Sequence, residues 1–179
     1  MTGIKRLLAA TDLSAPARHA AERAALFAGD VAGTLDLLHV IATAPLDKLR
    51  RLVREIPAEA EQRLVDAARE ELRQMAESLS SRYGVTAGVH VVSGAVVRRL
   101  NEEADAREAD LIVLGARGAG LVQTLLLGST AEKMVSRATR PLLVVKQPPR
   151  GSYRRLLVPV DFSPASLPAL RRAHAVAPE

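Results

Sequence analysis

Residues 110–129 read Asp-Leu-Ile-Val-Leu-Gly-Ala-Arg-Gly-Ala-Gly-Leu-Val-Gln-Thr-Leu-Leu-Leu-Gly-Ser. The apolar run Leu111-Ile112-Val113-Leu114 gives way to the spacing G-x2-G-x9-G-S, at Gly115, Gly118, Gly128 and Ser129. The run reads as a buried strand, and Ser129 as the opening of a helix. A strand, a glycine loop and a helix start together make an anion site of phosphate size. Without Cβ atoms the backbone N–H groups are open to approach, and the helix N-terminus favours negative charge.

Strand-like and helix-like segments alternate on either side of this stretch. Lys5–Thr11 reads as a buried first strand, Asp12 and Ser14 offer caps, and the Ala-rich segment 17–28 reads as a helix. The near-continuous apolarity of 34–41 suggests a second strand buried on both faces, as in parallel sheets. Between Pro45 and Pro57, the residues Leu46, Leu49, Leu52, Val53 and Ile56 recur at helical spacing and predict a short amphipathic helix. A long helix is expected from Ala58 to about Tyr83, with Leu64, Ala68, Leu72, Met75 and Leu79 as its buried stripe and Gly84 ending it. A strand at 86–92, a helix at 94–107, a strand at 110–114, a helix at 129–138 and a strand at 141–146 complete the pattern. This rhythm predicts a doubly wound α/β sheet with right-handed crossovers. In such folds ligands sit outside the carboxyl ends of the strands, where the winding reverses. Asp12, Val40 and Gly115 then line one crevice if the first and fourth strands are neighbours.

Composition narrows the field. The 179 residues contain no cysteine, which excludes disulfides, thiol catalysis and thiolate metal sites. No apolar run approaches the ~20 residues that span a bilayer, and no signal-peptide core follows Met1–Arg6. The expected location is therefore cytoplasmic, with no membrane association. The net charge of +5 divides as +2 over residues 1–146 and +3 over residues 147–179. A basic tail suits anionic partners. Aromatics at 2% with no Trp argue against nucleic acid, because no platform exists for stacking single strands.

The tail holds a repeat. Residues 154–177 echo residues 5–28 at an offset of 149, with nine identities in 24 positions. Arg155-Leu156-Leu157 matches Arg6-Leu7-Leu8, and Asp161-Phe162-Ser163 matches Asp12-Leu13-Ser14. Gln147–Tyr153 reads as a linker. The chain thus divides into a complete domain at 1–146, a linker at 147–153, and an incomplete second domain at 154–179, as in a tandem protein cut short. A C-terminal extension docking on its own domain is the alternative.

These residues resemble the universal stress protein family over residues 4–146. The carrying features are Thr11-Asp12-Leu13-Ser14 after the first strand, Leu37-Leu38-His39-Val40, Asp110–Gly115, the full G-x2-G-x9-G-S, and Leu125–Lys133 followed by Pro141–Val145. The resemblance implies a five-stranded parallel sheet in the order 3-2-1-4-5 with helices on both faces, plus a C-terminal partial β-α repeat. It implies a homodimer through the strand at 141–146. It also implies ATP as ligand, with Mg²⁺ held through the ATP phosphates. The implied nucleotide-binding residues are Ala10, Thr11, Asp12, Val40, Leu114, Gly115, Arg117, Gly118, Gly128, Ser129 and Thr130. The glycine loop would hold phosphates and ribose, Asp12 would lie near the ribose and adenine, and the backbone at Val40 would meet the adenine edge. Ala10 departs from the proline frequent in the family, which the tail keeps as Pro159.

Several of these residues admit a structural role instead. Ser129-x-x-Glu132 is a capping box, Asp12 is a candidate N-cap, and Arg117 is equally a phosphate partner or a solvated loop charge. His39, inside an apolar strand, reads as a satisfied core residue. No P-loop, no G-x-S-x-G elbow and no base beside a γ-phosphate is present. The expected function is an ATP-dependent stress sensor or adaptor with an unknown protein partner and little or no hydrolysis. The alternative is a nucleotide-independent dimeric module whose tail docks on a partner.

Overall fold

The computed structural model describes residues 3–43, 58–117, 127–164 and 166–176. The helix expected between Pro45 and Pro57, and Gly118, lie outside the described residues. Five parallel strands form one sheet: β1 (Arg6–Thr11), β2 (Thr34–Ala42), β3 (Ala87–Gly94), β4 (Leu111–Gly115) and β5 (Leu142–Val145). Their order is β3-β2-β1-β4-β5. Helices α1 (Ala15–Asp30) and α2 (Ala58–Tyr83) cover one face, while α3 (Val96–Ala106) and α4 (Ser129–Arg137) cover the other. A fifth helix, α5 (Ser166–Val176), lies in the tail.

The apolar runs have a direct cause. Alternate residues of a strand point to opposite faces, and the three central strands have helices on both. Leu7, Ala9, Leu35, Leu37, Leu111 and Val113 pack toward α1 and α2. Leu8, Leu38, Ile112 and Leu114 pack toward α3 and α4. Alanine makes α1 a close fit: Ala20, Ala24 and Ala25 are fully buried, with Phe27 the large side chain among them. The turn into β2 demands glycine at 33, because a Cβ there would lie 2.4 Å from the Lys5 carbonyl oxygen.

Of the two caps the sequence offers at α1, the structure uses the second. Ser14, not Asp12, is the N-cap, and its hydroxyl accepts from the Ala17 amide at 3.4 Å. Asp12 instead closes a turn, accepting from the Ser14 amide at 3.1 Å. Leu13 between them takes a left-handed φ of 64°.

In the tail, α5 forms where the repeat predicts it, but residues 154–160 join no strand of the sheet. β1 owes its burial to β2 and β4 on its two edges, and the tail copy has neither neighbour. The turn is nevertheless reproduced. Phe162 has a φ of 62°, and Asp161 accepts from the Ser163 amide at 3.0 Å.

The segment read as a linker is fastened to α1. Arg23 is 8% exposed. Its guanidinium donates to the Gly151 carbonyl at 2.7 Å and lies 4.3 Å from the centre of the Tyr153 ring. Ser152 adds a bond to Asp30 at 2.8 Å. A buried guanidinium is costly without partners, so this clasp stabilises the domain itself. Tyr153→Ala is expected to lower unfolding stability by about 1 kcal/mol in urea titrations. An unchanged midpoint would show that the clasp contributes nothing.

Candidate functional site

A crevice of about 560 Å³ opens at the carboxyl ends of the central strands. Its position follows from the topology. The connections leaving β1 and β4 depart toward opposite faces, so nothing fills the space between them. The end of β1 contributes Ala10, Thr11 and Asp12, and β4 with its following turn contributes Leu114, Gly115 and Arg117. Gly128, Ser129, Thr130 and Ala131 supply the far wall. Leu38, Val40 and Ala42 of β2, with Val96 and Leu100 of α3, form an apolar end.

The sequence-derived site residues among these come together here: Ala10, Thr11, Asp12, Val40, Leu114, Gly115, Arg117, Gly128, Ser129 and Thr130 all line the crevice. Sequence reasoning missed Leu38, Ala42, Val96, Leu100, Ala17 and Ala131. These carry no polar chemistry, so no motif in the sequence marks them. The spacing of Val96 and Leu100, one helical turn apart, was the available signal.

The glycine loop is closed at its base by backbone bonds. The Gly128 amide donates to the Ala116 carbonyl at 2.7 Å, and the Ala116 amide donates to Val145 of β5 at 2.8 Å. Strand end and helix start are thereby held together. Gly115 is tightly enclosed, since a Cβ would sit 3.0 Å from the Arg117 carbonyl oxygen and 3.5 Å from that of Pro16.

The capping box at Ser129 does not form. Gly128 is the N-cap of α4, and no side chain caps the helix. Ser129 already belongs to the first turn, one residue too late to act as a cap. The amides of Ser129, Thr130 and Ala131 therefore have no intrahelical acceptor. These three residues line the crevice, so the positive end of α4 borders it.

At the other end, β2 outruns β1. The last β1–β2 pair is Thr11 with His39, whereas Val40, Ile41 and Ala42 pair only with Val92, Ser93 and Gly94 of β3. On the β1 side, the peptide groups at the end of β2 meet no strand. His39 is satisfied, its Nδ1 lying 2.9 Å from the Thr11 carbonyl oxygen. Thr11 is buried, and its hydroxyl accepts from the Leu13 amide at 3.0 Å.

The sheet order and the crevice at its switch point define a Rossmann-like, doubly wound α/β domain. The chain belongs to the universal stress protein family, whose model matches residues 3–146. It is similar to universal stress protein A homolog 1 of Coxiella burnetii, at 34% identity over 145 residues, covering 79% of this chain and 95% of that protein. A universal stress protein of Mycolicibacterium smegmatis is 29% identical over 167 residues, covering 89% of this chain. The chain spans only 55% of the length of that relative. Two solved structures share the fold. One is a universal stress protein in complex with cAMP, with a TM-score of 0.58 and 23% identity, covering 81% of this chain and 98% of the other. The second is the universal stress protein from Archaeoglobus fulgidus in complex with dAMP, with a TM-score of 0.57 and 18% identity, covering 81% of this chain and 100% of the other.

Gly115→Val is expected to destabilise the domain by about 1–3 kcal/mol, the usual range for overpacking, because backbone walls surround the new side chain. Urea denaturation measures this, and a wild-type midpoint would contradict the packing described.

Proposed function

We propose that this protein binds ATP in the crevice and serves as a nucleotide-dependent stress sensor or adaptor with little or no hydrolysis. The observation that carries the reading is the pairing of two complementary ends in one cavity. The uncapped first turn of α4 suits phosphate oxygens, as helix N-termini generally do. The apolar end at Val40, Ala42, Val96 and Leu100 suits a flat base. Nucleotide complexes of two proteins with the same fold support the ligand class.

The overhang of β2 supports adenine as the base. A strand edge offers peptide N–H and C=O groups side by side. Adenine presents a ring-nitrogen acceptor beside its N6 donor, which matches that pair, whereas guanine reverses the order. Asp12, the carboxylate among the described lining residues, stands at the β1 end and suits a ribose hydroxyl. Arg117 adds a cation for phosphate. Among the described residues no group of three His, Cys, Asp or Glu side chains is placed to hold a metal. Mg²⁺ would arrive through the phosphates, as it commonly does.

A homodimer through β5 belongs to the same proposal. β5 is an edge strand whose Leu142, Leu143 and Val144 are only partly buried, and Val135 on neighbouring α4 is 61% exposed. A partner protein would read the surface that nucleotide orders. Among the described residues no helix is long and apolar enough to cross a membrane; a cytoplasmic location is part of the proposal.

Calorimetric titration with Mg-ATP tests the site. Gly128→Asp keeps a good N-cap residue at a backbone with a φ of −67°, but sets a carboxylate at the proposed phosphate position. Wild-type protein is expected to bind, with ATP at least tenfold tighter than GTP. The variant is expected to keep its stability and lose at least tenfold in affinity. Undiminished ATP affinity in Gly128→Asp would remove the phosphate site from α4.

A further inference from the structure

The tail exposes side chains whose counterparts in the domain are buried. Leu157 is 95% exposed and its counterpart Leu8 0%; Leu156 is 40% exposed and Leu7 2%. Phe162 is 95% exposed, and Leu167 and Leu170 are about half exposed. Large apolar side chains exposed along one segment suit an interaction surface. The tail is also locally ordered, because the turn at Asp161–Ser163 keeps the geometry of Asp12–Ser14. Its root is fixed by the Arg23–Tyr153 clasp.

The segment 154–161, Arg-Arg-Leu-Leu-Val-Pro-Val-Asp, is basic at its start and acidic at its end. Side by side in parallel, two copies would place like charges together. In antiparallel alignment about Val158, Arg155 stands opposite Asp161, Leu156 opposite Val160, Leu157 opposite Pro159, and Val158 opposite itself. From Arg155 to Asp161, each position meets an opposite charge or an apolar partner. Proline fits as well. With Val158 in a hydrogen-bonded pair, the nitrogen of Pro159 faces the free edge, where no donor is needed. Hydrogen bonds from Ser163 and Ser166 hold the Asp161 carboxyl well below the usual carboxylate range, so it remains charged.

We propose that the segment 154–161 pairs antiparallel with the same segment of a second copy of this chain, in the register that sets Arg155 against Asp161. The two α5 helices then share one face of the ribbon, on which Leu156, Val158 and Val160 lie. Such a two-fold interface is isologous, so a single contact satisfies both copies.

The absence of cysteine makes the register directly testable in the full chain. In a hydrogen-bonded antiparallel pair the two Cα atoms lie about 5.5 Å apart, within disulfide reach. Full-length Val158→Cys is expected to oxidise to a crosslinked dimer at least tenfold faster than Ser152→Cys at the fixed root, and faster than Leu157→Cys. Adding Arg155→Asp to Val158→Cys is expected to slow crosslinking at least fivefold, while Arg155→Lys retains the rate. Equal rates at 152, 157 and 158 would overturn the proposal, as would indifference to Arg155→Asp. Binding of the tail to anionic lipid vesicles without crosslinking at 158 would also overturn it, in favour of a membrane surface. None of these readouts depends on association through β5.

Discussion

The reversal of winding between β1 and β4 is the constraint on which the rest of the domain depends. Right-handed crossovers carry the chain from β1 through β2 to β3 with helices on one face. The return to β4 and β5 places the next helices on the other face. The order β3-β2-β1-β4-β5 follows, and with it a gap where the two sets of connections part. Every central strand must then be apolar on both faces, which is why Leu7 and Leu8, Leu37 and Leu38, and Ile112 and Val113 are all almost completely buried. The crevice is a product of topology before it is a product of any particular side chain.

Local bonds convert that gap into a site. The Gly128 amide, bound to Ala116, brings the start of α4 back against the end of β4. Because a glycine occupies the N-cap, no side chain competes for the first-turn amides. At the opposite end, β2 continues three residues past its last pairing with β1. One end of the cavity is thus polarised and the other apolar with an exposed strand edge. The same Asp-x-Ser turn that flanks the site at Asp12 recurs at Asp161, without a sheet to support it. A repeated sequence reproduces its local turn, but not the burial that came from neighbouring strands.

The strands were legible in the sequence because burial on both faces leaves long apolar runs, and the long helix because Ala68, Leu72, Met75 and Leu79 fall on one buried side; Leu64, expected in the same stripe, is instead 49% exposed, a full turn beyond the part of α2 that the sheet covers. The polar half of the crevice was legible through its glycines and Asp12. What escaped depended on single-residue register or on distance along the chain. Gly128 against Ser129 is a cap displaced by one position, and between Asp12 and Ser14, both offered by the sequence, only the structure chooses. The apolar end at Val96 and Leu100 looks like ordinary core until the fold shows where the sheet ends. Arg23 meets Gly151 across 128 residues, a contact no local pattern announces; it makes residues 151–153 part of the first domain's packing.

The central claim is that one nucleotide spans both ends of the crevice. Amide NMR of isotope-labelled protein during addition of Mg-ATP tests this most directly. The account expects the amides of Val40–Ala42 and of Ser129–Ala131 to shift together, along one saturation curve, with pyrophosphate moving only the second group. Shifts confined to one end with ATP, or none at either, would contradict it.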